Sequence, residues 1–235
     1  MKKFLLLCLL AASASASAQK ITATSWLVAD GNGHVIESRN ASEPRSIASI
    51  TKLMTVMVVL DAKQDLDEEV NGMTRRELIQ YTLVKSNNEA ADFLCSAYPT
   101  GRSGCVTAMN TKAKNLQLEN TRFADPTGLN IMNVSTAEEL VKLVMAASTY
   151  PEIVEASRMI EGKIKKKKRI WAFNNTNPLV AKHDFVISKT GYIRASGGCI
   201  VMMLNTEIGQ RIVVLLNSKS MKTRIPEAKL LATSF

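Results

Sequence analysis

A serine and a lysine stand three positions apart in the segment Ser49-Ile50-Thr51-Lys52. Residues with this spacing share one face of a helix, so the lysine amine can reach the serine hydroxyl. A serine is a useful nucleophile only beside a base, and a lysine acts as one only when burial or nearby positive charge lowers its pKa. Taken alone, the spacing is common, and a serine that caps a helix before a surface lysine explains it more simply.

Two later segments carry groups that could complete such a site. Ser86 is followed two positions later by Asn88, and Lys189 begins a Lys-Thr-Gly run with Thr190 and Gly191. Read separately, Ser86 could cap the next helix, and the Lys-Thr-Gly run could end a strand in a turn. Occurring together and in this order, the three segments indicate nucleophilic catalysis by a serine.

Hydrophobic spacing predicts the elements that must position these residues. A helix is predicted from near Ser49 to about Asp61, because apolar residues recur there with helical spacing. Further helices are predicted over 75–85, 88–97, 104–116, from 135 or 136 to about 148, and over 222–232. Alternating or continuous apolar runs between Gly-containing turns predict strands over 25–30, 34–38, 185–189, 199–205 and 211–217.

The order of these elements predicts the fold class. Strands lie near both ends of the chain and helices lie between them. This order predicts an α/β fold of the α+β type, with one mainly antiparallel sheet built from both termini and a helical region inserted between its strands.

The three segments form the motif triplet of serine β-lactamases and penicillin-binding proteins. The chain resembles the low-molecular-mass penicillin-binding proteins, which are serine D-alanyl-D-alanine peptidases of family S11 with a β-lactamase/transpeptidase-like fold. It looks most like their D-alanyl-D-alanine endopeptidase branch, the penicillin-binding protein 7 type. The likeness extends from about residue 22 to about residue 220 and is carried by segments 48–55, 86–91, 125–129, 133–137, 175–177 and 188–192.

The resemblance implies a role for each residue of the first two motifs. Ser49 would be the acylated nucleophile and Lys52 would accept its proton. Ser86 would relay a proton to the leaving amine, and Asn88 would hold Lys52 and the substrate amide.

The third motif would bind and orient the substrate. Lys189 would tune the electrostatics, Thr190 would bind the terminal carboxylate, and Gly191 would let the strand backbone approach the substrate. The backbone N–H groups of Ser49 and Tyr192 would form the oxyanion hole. The resemblance implies no cofactor and no metal.

The resemblance leaves the exact peptidase activity open. We expect DD-endopeptidase activity on peptidoglycan crosslinks, with D-Ala-D-Ala carboxypeptidase activity as the first alternative. The chain ends at Phe235, too early for the separate C-terminal β domain of many carboxypeptidases, which favours the endopeptidase branch. A weakly active penicillin-binding or peptidoglycan-binding protein, or a β-lactamase-like enzyme, is a further alternative.

Other hydrolase classes fit the residues less well. A class A β-lactamase should carry a Glu-x-x-Asn element between the second and third motifs, and no glutamate between Ser86 and Lys189 has an asparagine three positions later. A zinc peptidase is disfavoured because the chain has only two histidines and no His-Glu-x-x-His motif. A Gly-x-Ser-x-Gly elbow and a Walker A pattern are also missing from the sequence.

The first eighteen residues resemble a secretory signal peptide. Lys2 and Lys3 precede an apolar run, and small residues before the end of the segment predict cleavage after Ala18. The apolar run is too short to span a membrane, and no later run reaches that length. We therefore expect a signal peptide over 1–18, one peptidase domain over 19–235, no membrane span after cleavage, and a periplasmic location.

Export changes how the positive charge is interpreted. The formal net charge of +9 would suggest nucleic acid, but cleavage lowers it to +7 and export removes nucleic acid as a partner. The expected partners are the carboxylate-bearing stem peptides of peptidoglycan, with β-lactam antibiotics as covalent inhibitors. The lysine-rich run at 163–169 is predicted to be a solvated loop or edge strand, or alternatively an anion site.

Three cysteines remain after cleavage, in a compartment where disulfides form. Cys95 and Cys105 enclose a turn-rich stretch that could bring them together, so we expect them to pair. Cys199 would then be a buried free thiol.

Overall fold

The computed structural model describes residues 21–166 and 169–234, so the predicted signal peptide and its cleavage site lie outside the described residues. The α-helices are α1 Thr51–Asp61, α2 Arg75–Val84, α3 Asn88–Ser96, α4 Gly101–Asn115, α5 Ala137–Ala147, α6 Pro151–Arg158 and α7 Met221–Thr233. The long strands are β1 Ser25–Asp30, β2 Val35–Arg39, β7 Glu161–Lys166, β8 Arg169–Asn174, β9 Asp184–Ile193, β10 Gly197–Thr206 and β11 Gly209–Ser218. Two-residue strands are β3 Arg45–Ser46, β4 Glu69–Val70, β5 Met73–Thr74 and β6 Val134–Ser135.

The main sheet joins the two ends of the described chain. Its five strands follow the order β2-β1-β11-β10-β9, and every pairing is antiparallel. The N-terminal strand β1 pairs with β11, so that Leu27 lies opposite Val214. The predicted mainly antiparallel sheet with an inserted helical region is therefore confirmed.

The sheet is covered on both faces. Leu27 and Val214 belong to a large core that the helices α1 to α6 share, whereas Val28 and Val213 face the opposite side, where α7 packs. Burial on both faces explains why the sequences of β10 and β11 are continuous apolar runs rather than alternating ones.

The sequence analysis allowed an edge strand at 163–169, but it did not predict a hairpin of β7 with β8 or the helix α6. The run at 163–169 falls in the hairpin of β7 and β8, whose residues 167 and 168 are outside the description. Gly162, Ile164 and Phe173 are buried while Lys163 and Lys165 are exposed. Lys163 and Lys165 alternate with these buried residues, but the basic residues that continue the run to 169 conceal in the sequence the alternation typical of a half-buried strand.

The other missed element is α6, where a proline occupies the first turn. Proline is favoured there because its fixed φ suits a helix start and its missing N–H needs no partner. The helix predicted from residue 104 begins at Gly101 instead.

A disulfide braces the helices that follow the second motif. Cys95 in α3 and Cys105 in α4 are bonded, with their Cα atoms 5.3 Å apart, and both side chains are buried. Cys199 in β10 is free and buried. No helix within residues 21–166 and 169–234 is long and apolar enough to cross a membrane.

Candidate active site

Ser49 lies in a short turn of 3-10 helix over Ala48–Ile50, directly before α1, rather than at the first turn of the α-helix. Ala48 has a φ of 46°, a conformation that side-chain-bearing residues adopt at a cost and that is common at functional sites. The turn is held by Thr51, whose Oγ1 donates to the carbonyl of Ala48 at 2.7 Å. One turn of chain therefore presents the Ser49 hydroxyl at the edge of the helical core.

Lys52 is the centre of a buried hydrogen-bond network. Its Nζ lies 2.8 Å from Ser49 Oγ, 2.7 Å from Asn88 Oδ1 and 2.6 Å from the carbonyl oxygen of Thr127. Burial lowers the pKa of Lys52 from 10.5 to about 7, although the negative charge of Asp125 opposes the shift. A neutral lysine amine, which can accept the proton of a serine, is therefore well populated near pH 7.

The Thr127 carbonyl is placed by a loop that is folded around one carboxylate. The carboxylate of Asp125 accepts hydrogen bonds from the backbone N–H groups of Thr127 at 2.5 Å, Gly128 at 2.8 Å and Asn130 at 2.6 Å. Burial would raise the pKa of Asp125, but these hydrogen bonds outweigh it and the pKa is lowered. The loop therefore holds a negative charge and a backbone acceptor close to Lys52.

Gly128 brings this loop against the nucleophile. Its φ is 83°, and a Cβ at this position would overlap the carbonyl oxygen of Ala48 and lie 2.8 Å from the backbone nitrogen of Ser49. Only glycine combines this backbone conformation with such a close approach.

The third motif lies on β9, across from Lys52. Lys189 Nζ donates to Ser86 Oγ at 2.7 Å and to the carbonyl of Thr190 at 2.8 Å. Burial lowers the pKa of Lys189 well below its ordinary value, and the positive charges of Lys52 and Arg224 add to the effect. Ser86, the first residue of the second motif, has a φ of 60°. Like Ala48, it therefore adopts a backbone conformation that is unfavourable for a residue with a side chain.

The strand backbone comes close to the nucleophile at Gly191. A Cβ at Gly191 would lie 2.9 Å from the carbonyl oxygen of Ile47 and 3.0 Å from the nitrogen of Ser49. Tyr192 follows it in β9 with a half-exposed side chain. Arg224 of α7 donates to the carbonyl of Gly191 at 2.7 Å and so ties the back of the strand to the helix behind the sheet.

The three motifs therefore meet at one junction between the helices and β9. The structure brings together every predicted site residue: Ser49, Lys52, Ser86, Asn88, Lys189, Thr190, Gly191 and Tyr192. This arrangement suits acyl transfer, because a serine hydroxyl contacts an amine of lowered pKa and backbone N–H groups lie nearby.

Sequence reasoning assigned no role to four contributors to the site, although three of them, Asp125, Thr127 and Thr176, lie in segments of noted resemblance. Asp125 and Thr127 were in a segment of noted resemblance, and Asp-Pro-Thr-Gly is a typical turn sequence that signals a structured loop. Thr176 shares a hydrogen bond of 2.7 Å with the Thr190 hydroxyl, which donates to it. Arg224 had no sequence signal, since it reaches the site from a helix beyond the last strand.

Comparisons with known proteins show which chains this one resembles. The chain is 38% identical over 231 residues to the D-alanyl-D-alanine endopeptidase of Escherichia coli (strain K12), covering 88% of this chain and 74% of the relative. It is 36% identical over 235 residues to the D-alanyl-D-alanine endopeptidase of Pseudomonas aeruginosa, covering 89% and 76%.

Solved structures also resemble this one. The Streptomyces K15 DD-transpeptidase matches with a TM-score of 0.82 at 25% identity, covering 91% of this chain and 96% of the other. Penicillin-binding protein D2 from Listeria monocytogenes, in its ampicillin-bound form, matches with a TM-score of 0.80 at 25% identity and the same coverage.

The family model described as D-alanyl-D-alanine carboxypeptidase, Peptidase S11, matches residues 12–71 and 67–220. That match spans well over half of the chain. The chain therefore belongs to the S11 family of serine peptidases.

Proposed function

We propose that this protein is a DD-peptidase that hydrolyses D-alanyl bonds of peptidoglycan through an acyl-enzyme on Ser49. The observation that carries the proposal is the 2.8 Å contact between Ser49 Oγ and Lys52 Nζ, at an amine whose pKa is about 7. A neutral amine has two hydrogens and one lone pair. The hydrogens satisfy Asn88 Oδ1 and the Thr127 carbonyl, which leaves the lone pair for the proton of Ser49.

The proposed reaction has two steps, acylation of Ser49 and hydrolysis of the acyl-enzyme. Ser49 Oγ attacks the D-alanyl carbonyl carbon, and Lys52 Nζ accepts the hydroxyl proton. The carbon–nitrogen bond breaks, and the amine leaves with a proton relayed by Ser86, which lies 2.7 Å from Lys189 Nζ. Water then attacks the ester, the bond to Ser49 Oγ breaks, and the serine regains its proton.

The β9 side of the cleft is proposed to stabilise charge. The N–H groups of Ser49 and Tyr192 would bind the oxyanion, a contribution of about 3–4 kcal/mol for each donor. Thr190, whose hydroxyl is oriented by Thr176, would bind the carboxylate beside the scissile bond. The positive charge of Arg224, which contacts the backbone of Gly191 next to Thr190, favours an anionic group there.

Endopeptidase activity is the preferred form of the reaction. Two relatives that are 36% and 38% identical are named D-alanyl-D-alanine endopeptidases. Carboxypeptidase activity is the second candidate, because the family model and a Bacillus subtilis relative that is 25% identical carry that name. Both activities use the same acyl-enzyme and differ only in the amine that leaves.

Substrate and location follow from the same proposal. Peptidoglycan stem peptides would be the substrate and β-lactams would acylate the same serine, as the ampicillin-bound Listeria protein supports. The substrate lies outside the cytoplasm, so the protein would act in the periplasm after cleavage at Ala18. The mature domain would span residues 19–235.

A fluorescent penicillin tests the acylation step. We expect covalent labelling of the wild-type protein and none of Ser49→Ala, with peptide mapping that places the label on Ser49. Labelling of Ser49→Ala at the wild-type rate, or no labelling of the wild type, would contradict the proposed nucleophile.

Defined muropeptides separate the two activities. Crosslinked dimers should be converted to monomers, while monomeric pentapeptides should release little free D-alanine. Release of D-alanine from monomers with intact dimers would establish the carboxypeptidase instead. Penicillin labelling without hydrolysis of either substrate would indicate a binding protein of negligible turnover.

A further inference from the structure

A cavity of about 690 Å³ opens beside the helical side of the site. Its walls include Asn88 and Thr127, two of the groups that contact Lys52 Nζ. Its described lining comes from α3, α4 and the loop around Asp125, and contains no residue of β9. The cavity is therefore continuous with the catalytic centre but lies away from the strand that carries Lys189.

Two of the three carboxylates that line this cavity have hydrogen-bond partners. Asp92 Oδ1 accepts from Arg102 Nε at 2.7 Å, and the Asp125 carboxylate is filled by backbone donors. The exposed Glu89, in the first turn of α3, has no ion-pair or hydrogen-bond partner within the described part of the chain. With Asp92 and Arg102 paired and Asp125 hydrogen-bonded by its own loop, Glu89 is the carboxylate of this cavity that is left for a ligand within the described residues.

The remaining walls are apolar where a flexible chain would lie. Leu129 is 58% exposed although it stands next to Gly128 in the loop that touches Ser49. Phe93 lines the same cavity from α3 and is half-buried. An alkyl chain that ends in an ammonium group matches such walls, because the methylenes cover Leu129 and Phe93 while the charge reaches a carboxylate.

We infer that this cavity binds the amine-bearing side chain of the substrate residue that precedes the acylating D-alanine, with Glu89 as the specificity-determining carboxylate. The inference rests on the proposed function, which directs the leaving group towards Ser86, Lys189 and Thr190. The acyl portion must then leave Ser49 in another direction, past Asn88, and this cavity is the space that adjoins Asn88. A diamino acid in the stem peptide supplies the required ammonium.

The test uses crosslinked muropeptide dimers with the free side-chain amine either intact or acetylated. We expect the wild type to hydrolyse the free-amine dimer with a kcat/KM about three- to fivefold higher, as one partly exposed charge pair allows. The ratio should fall to about one in Glu89→Gln and below one in Glu89→Lys. Pentapeptide monomers prepared in the same two forms extend the test to carboxypeptidase activity.

A matched control is available in another helix. Glu138 is exposed and occupies the same second position of α5 that Glu89 occupies in α3, so Glu138→Gln should keep the wild-type ratio. A wild-type ratio of one, or an unchanged ratio in Glu89→Gln, would overturn the inference even when both substrates are cleaved. Loss of both cleavage and penicillin labelling in the wild type would instead overturn the proposed function.

Discussion

Each side of the cleft buries a lysine, but the neighbouring charges act on the pKa of the two lysines in opposite directions. On the helical side, Lys52 contacts Asn88 and Thr127, and the Asp125 carboxylate opposes the effect of burial on its pKa. On the β9 side, burial of Lys189 is reinforced by the positive charges of Lys52 and Arg224. A nearby carboxylate thus keeps one lysine titratable near neutral pH, while the other lies in a wholly cationic setting.

The two sides also differ in what holds them. The helical side depends on a loop whose backbone donors converge on Asp125, so its geometry is set by local hydrogen bonds. The β9 side depends on a hairpin, with Gly191 opposite Cys199 in β10, and on long-range contacts of Gly191 with Ser49 and Arg224. Each side is therefore shaped by local hydrogen bonds, and long-range contacts then bring the Asp125 loop against Lys52 and β9 against Ser49.

The largest expected effect comes from removing the base on the helical side. Lys52→Met should slow acylation by a fluorescent penicillin by about 10²–10⁴-fold, the range typical for loss of a general base. Lys142→Met, which alters an exposed lysine of α5, is the control and should label at the wild-type rate. Labelling of Lys52→Met within tenfold of wild type would mean that another group accepts the serine proton.

Removing the disulfide tests how separately the two sides are held. The double change Cys95→Ser and Cys105→Ser should lower the free energy of unfolding by about 3 kcal/mol, as expected for a short closed loop. Urea unfolding measures this loss. Hydrogen exchange should show the protection of α3 and α4 falling more than that of β9 and β10, and an equal fall in all four would show that the two sides are not separable.

A smaller effect is expected from crowding the β9 side. Gly191→Ala places a methyl group 2.9 Å from the Ile47 carbonyl and 3.0 Å from the Ser49 nitrogen, and backbone atoms yield little. Displacement of the strand should slow penicillin acylation roughly 10- to 100-fold. Gly31→Ala, which meets only the side chain of Gln210, should leave the rate unchanged. A wild-type rate in Gly191→Ala would show that the strand need not approach the nucleophile so closely.

The pH dependence of acylation gives the finest test. Below the Lys52 pKa of about 7 the amine is protonated, so the rate should fall about tenfold for each unit of decreasing pH. Asp125 raises the Lys52 pKa, and Asp125→Asn should therefore move this limb to lower pH.

The exposed Asp67→Asn is the control for the pH profile and should leave the limb in place. A limb that moves to higher pH in Asp125→Asn, or that is absent from the wild type between pH 5 and about 8, would contradict the role of Lys52 as the titrating base.

Much of the fold could be predicted because its strands and helices carry strong periodic patterns. The hairpin of β1 and β2, the helices α2 and α3 and the strands β9 to β11 lie where the apolar patterns indicated. The hairpin of β7 and β8 was missed because its alternating pattern is filled with lysines, and α6 because it is only 8 residues long.

The sequence by itself determined the motif residues, their order and the family, because the residue types of the three motifs and of the segments around them can be read directly along the chain. Only the tertiary structure decided how far the Lys52 pKa is lowered, because that depends on burial and on a carboxylate 73 positions away in the chain. The Thr127 carbonyl and the Arg224 guanidinium likewise entered the site only through folding. Every residue has a backbone carbonyl, so residue type does not indicate which carbonyl enters the site. A contact between distant parts of the chain has no characteristic sequence spacing by which it could be predicted.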